Sequence, residues 1–351
     1  MAHSGHDQEP SRLDAELAAS CDPDALALVR AEDGPDARTA LPLILRPASD
    51  DVDLRDWLEY CRPWVEAKLH VHGAVLFRGF GIGSIGGFEQ CARAESGELF
   101  AEYGDLPREA EAGQVYQSTP YPANKTILFH NESSHLARWP LRQFFYCVQP
   151  AAEGGATPIV DCRAIYQALP PTIRDAFAAK QLLYVRNFTD GLDVSWQEFF
   201  KTADRAAVER RCQDAGMSCE WKADGLRVRQ RAPAILRHPV TGEPCFFNQV
   251  QLHHPACLDV EVREALRALF AEDNMPRLVT YGDGTPIDDA VMDELTSLYW
   301  AHAVSFPWQQ DDLLMLDNML VAHARAPFSG RRKIVVAMGR MTGIAAWGAQ
   351  C

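Results

Sequence analysis

Two apolar runs, far apart in this chain, each end in metal-binding side chains. Ile127-Leu128-Phe129 stops at His130-Asn131-Glu132, and the run from Leu313 to Ala322, broken only by Asp317-Asn318, stops at His323. Short apolar runs with polar boundaries read as buried strands. Residues two apart on a strand point to the same side of the sheet, so an imidazole and a carboxylate can address one ion from a single strand end. His323 joins them only if strands distant in sequence meet in one β structure.

Size and charge narrow the class. The chain has 351 residues, 47% hydrophobic and 23% charged, ample for a buried core and typical of a soluble enzyme. A formal net charge of −14 argues against non-specific nucleic-acid binding. No apolar stretch approaches membrane-spanning length, and the N-terminus lacks the basic and apolar regions of a signal peptide. Ten cysteines are scattered without a C-x-x-C pair, which points to free thiols in a reducing cytoplasm rather than to zinc or disulfides.

Residues 1–38 read as a partly ordered, polar N-terminal arm with at most short helices. Residues 39–345 read as a single domain with an insertion at about 189–303. Leu54, Trp57, Leu58, Cys61, Trp64, Val65 and Leu69 recur at helical spacing within 53–70, and helices are also expected at 88–99, 163–169, 171–180, 196–212, 260–270 and 290–302. Strands are expected at 74–77, 127–130, 142–149, 157–161, 182–188, 226–231, 245–249, 313–317 and 333–338. The strands at 226–231 and 245–249 are joined in this reading through Thr241-Gly242-Glu243. The polar segment 101–126 reads as a loop that covers a site. The fold class is therefore mainly β, with flanking helices and a helical insertion.

A lone H-x-E is a weak signal, because most histidines near a carboxylate are ordinary hydrogen-bonded pairs. Three further residues strengthen it. His323 completes two histidines and one carboxylate, the facial set of non-haem Fe(II) oxygenases, which leaves coordination positions open. Arg332 opens the strand Lys333–Met338, and its planar fork suits bidentate capture of a carboxylate. Thr157, in Gly154-Gly155-Ala156-Thr157-Pro158, offers a hydroxyl to the same carboxylate. Singly, Arg332 is a surface arginine and Thr157 a turn threonine; together at these positions they form a pattern.

With those residues placed, the chain resembles the taurine dioxygenase and clavaminate synthase-like superfamily of Fe(II)/2-oxoglutarate oxygenases, in its syringomycin-biosynthesis hydroxylase-like branch. The resemblance rests on Gly73 to Phe80, on Ser118-Thr119-Pro120-Tyr121-Pro122 leading into His130 to His135, on Pro150 to Thr157, and on Val185-Arg186-Asn187-Phe188. It continues in Phe247-Asn248-Gln249 and in Asp317-Asn318 through His323 to Arg332-Lys333, and it covers roughly residues 40–340. It implies a double-stranded β-helix, or jelly roll. It also implies iron ligands His130, Glu132 and His323, 2-oxoglutarate contacts Thr157 and Arg332, and dioxygen as oxidant. Many relatives carry Asp where this chain has Glu132; the clavaminate synthase-like branch accepts Glu. Halogenating relatives have a small residue there, so Glu132 argues against halogenation.

The implied reaction is hydroxylation of an unactivated carbon in an amino acid, free or tethered to a peptidyl carrier protein, in antibiotic-type biosynthesis. Desaturation and cyclisation share its early steps. A non-catalytic cupin-like binding protein predicts lost ligands, and a zinc hydrolase leaves Arg332 and Thr157 without a role. Arg186, Asn248, Gln249 and Arg325 are the substrate-binding candidates, each with an alternative as an internal hydrogen-bonding or ion-pairing residue. His135 reads as a turn residue, and His253-His254 face opposite ways on a strand. Residues 201–237 hold nine Lys/Arg against five acidic residues, either a docking patch for an acidic carrier or a solvated face that includes Arg227, Arg229 and Arg231.

Overall fold

The computed structural model describes residues 21–344, apart from 33, 36–39, 101–109, 118–120 and 190–193. Most of the N-terminal arm, part of the 101–126 loop and Ser118-Thr119-Pro120 lie outside the described residues.

An eight-stranded sheet is the backbone of the fold. Its strands run in the order Val29–Glu32, Leu43–Pro47, Ala74–Phe77, Leu313–Asp317, Arg138–Gln149, Lys333–Gly343, Val115–Gln117 and Ala110–Ala112. All neighbours are antiparallel except Leu43–Pro47 and Ala74–Phe77, which are parallel. A parallel pair needs a crossover, and helix Leu54–His72 supplies it. Asp53 caps the helix by accepting from the Asp56 amide, and Gly73 ends it at φ 72°. A side chain on Gly73 would lie 2.6 Å from Val321 Cγ2, so the glycine also lets the helix end approach the strand that carries His323.

A three-stranded sheet, Ile127–His130, Val321–Arg325 and Ile159–Asp161, holds His130 and His323, and Glu132 follows in the turn after the first strand. His323 sits directly opposite His130 on one side and Ile159 on the other. The long strand Arg138–Gln149 sorts its side chains by alternation. Phe145 and Cys147 join a core with Phe129, Val160, Ala322, Ile334 and Val336. Phe144 and Tyr146 join a second core with Trp57, Phe77, Phe88 and Val335, under helices Leu54–His72 and Ile85–Ser96. A four-stranded sheet, ordered Ser218–Lys222, Gly225–Ala232, Leu182–Thr189 and Arg277–Tyr281, has its own core around Phe188, Trp196, Phe200 and Val208. Among the described residues no helix is long and apolar enough to cross a membrane.

Several expectations need correction. The helix expected at 196–212 is two helices, Trp196–Phe200 and Arg205–Asp214; Lys201 at φ 47° ends the first and Asp204 recaps the second. The strand expected at 245–249 is Pro244–Phe246, paired with Ile235–Arg237 and not with 226–231. Asn248 and Gln249 leave the strand because their hydrogen bonds go elsewhere, as described below. Within the N-terminal arm, Val29–Glu32 forms an edge strand on Leu43–Pro47, a non-local pairing that its polar composition does not announce. The loop 101–126 contains a hairpin, Ala110–Ala112 with Val115–Gln117, attached to the edge of the large sheet. Arg227 is not on a solvated face: it is 8% exposed and donates to Asn187 Oδ1 at 2.8 Å and Asn274 Oδ1 at 2.6 Å.

Candidate active site

The turn between Leu313–Asp317 and Val321–Arg325 assembles the site. Asp317 Oδ1 accepts from the Met319 and Leu320 amides, closing the turn, while Oδ2 takes Arg142 Nη1 at 2.6 Å. Both charges are fully buried. Removing one partner of such a pair typically costs about 3–5 kcal/mol. Arg142 and His238 together hold the Asp317 carboxyl well below the usual range, against the effect of burial. Asn318 then reaches across the chain: its Oδ1 accepts from the Glu132 amide at 2.7 Å, and its Nδ2 donates to the Glu132 carbonyl at 2.9 Å. The turn that sends His323 into position thus also holds Glu132.

His130, Glu132 and His323 each place a ligand atom within 4.8 Å of the others, and all three line one cavity. The imidazoles of His130 and His323 lie 4.2 Å apart, centre to centre. His130 Nδ1 is 2.8 Å from the Leu128 carbonyl, a contact that places the proton on Nδ1 and leaves Nε2 as the electron-pair donor. Glu132 is 1% exposed, and burial pushes its carboxyl up to about 7. Gln143, on the long strand, donates from Nε2 to Glu132 Oε2 at 3.1 Å. Two neutral nitrogens and one carboxylate, oriented by a carbonyl and an amide, fit a divalent non-haem iron.

Arg332 and Thr157 line the same cavity. Arg332 Nε donates to the Gly155 carbonyl at 2.8 Å, and Nη2 lies 3.5 Å from Thr157 Oγ1. Gly155, at φ 70°, is needed here: a Cβ would come within 3.0 Å of Arg332 Cδ. Thr157 Oγ1 also accepts from Trp308 Nε1 at 3.1 Å, so its own proton can go to a ligand carboxylate. Burial and the neighbouring charge of Arg325 lower Arg332 to about 10. Arg325 lines this cavity too, and its guanidinium donates to the carbonyls of Tyr121, Pro122 and Lys125.

The other substrate-binding candidates sit elsewhere. Arg186 lies in a second pocket, with His135, Tyr184, Gln230 and His253, and its guanidinium is 4.7 Å from the Phe188 ring centre and 4.6 Å from that of Phe199. Asn248 and Gln249 are scaffold. The Asn248 amide donates to Asn131 Oδ1 and its side chain to the Ala234 carbonyl, while Gln249 Nε2 donates to the Asn131 carbonyl. They hold the segment that links His130 to Glu132. His253 packs beside His135 and Tyr184, and His254 contacts the Ile287 carbonyl through Nε2.

The sequence reading missed Gln143, Trp308 and the Asn318 clamp. Asn318 was in the matched motif, but nothing in it disclosed the partner. It also missed a second cluster, His70, His238 and Asp317, whose ligand atoms lie equally close. In that cluster the Asp317 carboxylate is already engaged by Arg142 and His238. His238 Nδ1 accepts from the Thr241 amide at 3.1 Å, so its Nε2 carries the proton toward Asp317, 3.3 Å away.

The family profile described as taurine catabolism dioxygenase TauD, TfdA family matches residues 39–338. The chain belongs to this family. It is an Fe(II)/2-oxoglutarate-dependent dioxygenase, and dioxygen is its co-substrate. The dapdiamide synthesis protein DdaC of Enterobacter agglomerans is 38% identical over 276 residues, 78% of this chain and 84% of DdaC. A clavaminate synthase-like protein of Arabidopsis thaliana is 31% identical over 288 residues, with the same shares covered. PvcB of Pseudomonas aeruginosa superposes with a TM-score of 0.52 at 15% identity, covering 88% of this chain and 90% of PvcB. A taurine dioxygenase of Burkholderia xenovorans superposes at 0.52 and 14% identity, covering 91% and 92%.

Proposed function

We propose that this TauD-family dioxygenase hydroxylates an unactivated carbon of an amino acid, free or thioester-linked to a peptidyl carrier protein, in specialised-metabolite biosynthesis. The observation that carries the reading is one cavity that gathers two imidazoles and a carboxylate within 4.8 Å beside a half-buried guanidinium and a hydroxyl. The 38% identity to a dapdiamide synthesis protein supports the biosynthetic setting. In this reading the three-stranded sheet and the facing strands of the large sheet form the double-stranded β-helix.

His130, Glu132 and His323 would hold Fe(II), and Arg332 with Thr157 would hold the distal carboxylate of 2-oxoglutarate. When bound, iron, co-substrate and dioxygen supply the power to remove hydrogen from carbon, with release of succinate and carbon dioxide. The protein orients and excludes. Gln143 fixes which Glu132 oxygen faces inward, and Ile127, Phe145, Ile334 and Val336 give the cavity apolar walls.

The carrier-tethered version draws little from the basic stretch at 201–237. Arg227 is buried, Arg229 pairs with Glu220 at 3.0 Å, and Arg205 covers the Trp221 ring at 4.5 Å. Succinate release from the iron-loaded enzyme, across amino acids offered free and carrier-loaded, tests the reading. The expected product of the active member gains one oxygen. A product short of two hydrogens would reassign the enzyme as a desaturase or cyclase, and no substrate-stimulated succinate from any amino acid would sink the amino-acid reading.

Buried Glu132 also makes a pH prediction. Its pKa is raised from 4.5 to about 7, so the folded apo protein holds this proton more tightly than the unfolded chain does. Stability therefore falls as pH rises from the unfolded value through the folded one. A divalent metal offsets the buried charge, and it binds the ionised form. The gain in Tm on adding Mn(II) should be larger at about pH 8 than at about pH 5.5. An equal gain at both would remove Glu132 from the ligand set.

A further inference from the structure

We propose that Arg325 selects a carboxylate-bearing primary substrate, because the cavity holds one guanidinium more than the co-substrate can neutralise. The inference rests on the 2-oxoglutarate site assigned to Arg332 and Thr157 above, and it names the chemistry of the second ligand.

Arg325 sits two residues after His323 on the same strand, and both line the same cavity. It is 7% exposed. Its Nη atoms donate to three carbonyls of the segment leading into the His130 strand: Tyr121 at 3.0 Å, Pro122 at 2.6 Å and Lys125 at 2.9 Å. Carbonyls satisfy donors without cancelling charge. The buried Nε–H finds no acceptor among the described residues. The Phe328 ring centre is 5.4 Å from the Arg325 guanidinium and 5.5 Å from that of Arg332.

Among the described residues neither arginine forms an ion pair with a carboxylate, although buried arginines elsewhere in the chain do: Arg78 with Asp312, Arg142 with Asp317, Arg163 with Asp161. Burying a charge without a counter-ion is costly, so it persists where a ligand supplies the counter-ion. Among the described residues the cavity lining carries two guanidiniums and one carboxylate, Glu132. A divalent metal adds two positive charges and the co-substrate dianion removes two. One positive charge remains, and it matches a single carboxylate on the molecule to be oxidised.

The test uses the full-length protein loaded with Mn(II) and 2-oxoglutarate under nitrogen, with propionate and propionamide as probes. They differ in charge and little in shape. Calorimetry should find propionate bound about tenfold or more tighter than propionamide. Arg325→Gln should cut that preference to about twofold or less and leave 2-oxoglutarate affinity within about threefold, while Arg325→Lys keeps most of the preference. Equal binding of the two probes by the wild-type protein overturns the proposal, and that arm needs no variant to fold. If Arg325→Gln instead weakens 2-oxoglutarate and spares the preference, the second guanidinium serves the co-substrate, and the proposal falls. The probes lack an amino group. A carboxylate preference alongside an inactive amino-acid panel therefore removes only the amino-acid reading, whereas an active panel with no preference removes only this one.

Discussion

His130→Ala, Glu132→Ala and His323→Ala are each expected to abolish succinate release while leaving the fold intact. A facial set of three ligands has no spare member, so losing one leaves the ion weakly held and misdirected. Each side chain comes from a strand or turn held by groups other than itself. Asn318 grips the Glu132 backbone, Gln249 the Asn131 carbonyl, and the Asp317 turn leads into His323. Far-UV circular dichroism should therefore stay unchanged while Mn(II) affinity collapses. Wild-type turnover by any of the three variants would take that residue out of the site.

Arg332→Leu should raise the 2-oxoglutarate requirement strongly, since truncating one member of a buried, hydrogen-bonded charge pair typically costs about 2–5 kcal/mol. Arg332 immediately precedes the strand Lys333–Gly343 and takes no part in its ladder, so the sheet should survive the change. Thr157→Val removes a neutral donor to a charged group, roughly 1.5–3 kcal/mol. It also strips Trp308 Nε1 of its acceptor, as Arg332→Leu strips the Gly155 carbonyl of its donor, so each variant carries a stability cost of its own. Titration of 2-oxoglutarate at saturating iron reads both. An unchanged requirement in Arg332→Leu would move the anchor to another cation, with Arg325 the first to examine because it shares the cavity.

Much of the candidate site could be read from residue order because strands carry their chemistry locally. The apolar run Ile127-Leu128-Phe129 does fold as a strand that ends at His130, but Glu132 sits in the turn beyond it and not on the strand. The helical spacing at 54–69 likewise survived, since every apolar position but Trp64 in that pattern is buried. Arg227 shows the opposite case. In sequence it is one of three alternating arginines on a polar strand. In the structure it is closed in by Asn187, Asp273 and Asn274, brought from two other segments. Asn248 and Gln249 looked as suited to a substrate as to the core, and the Asn131 segment decided between them.

The sequence by itself therefore determined the family and much of the secondary structure near the H-x-E and His323 motifs, and it named the candidate donors, because those depend on residue type and on periods of two and 3.6. Only the tertiary structure decided that Gln143 orients Glu132, that Asn318 clamps it from 186 residues away, and that Arg186 lies in a different cavity from the candidate ligands. It alone also separated the three-residue cluster at Asp317 from the one at Glu132. Both clusters bring two histidines and a carboxylate within the same distance. At Asp317 a proton on His238 and a buried arginine already occupy the carboxylate, and such partners, contributed from distant strands, leave no local pattern in the chain.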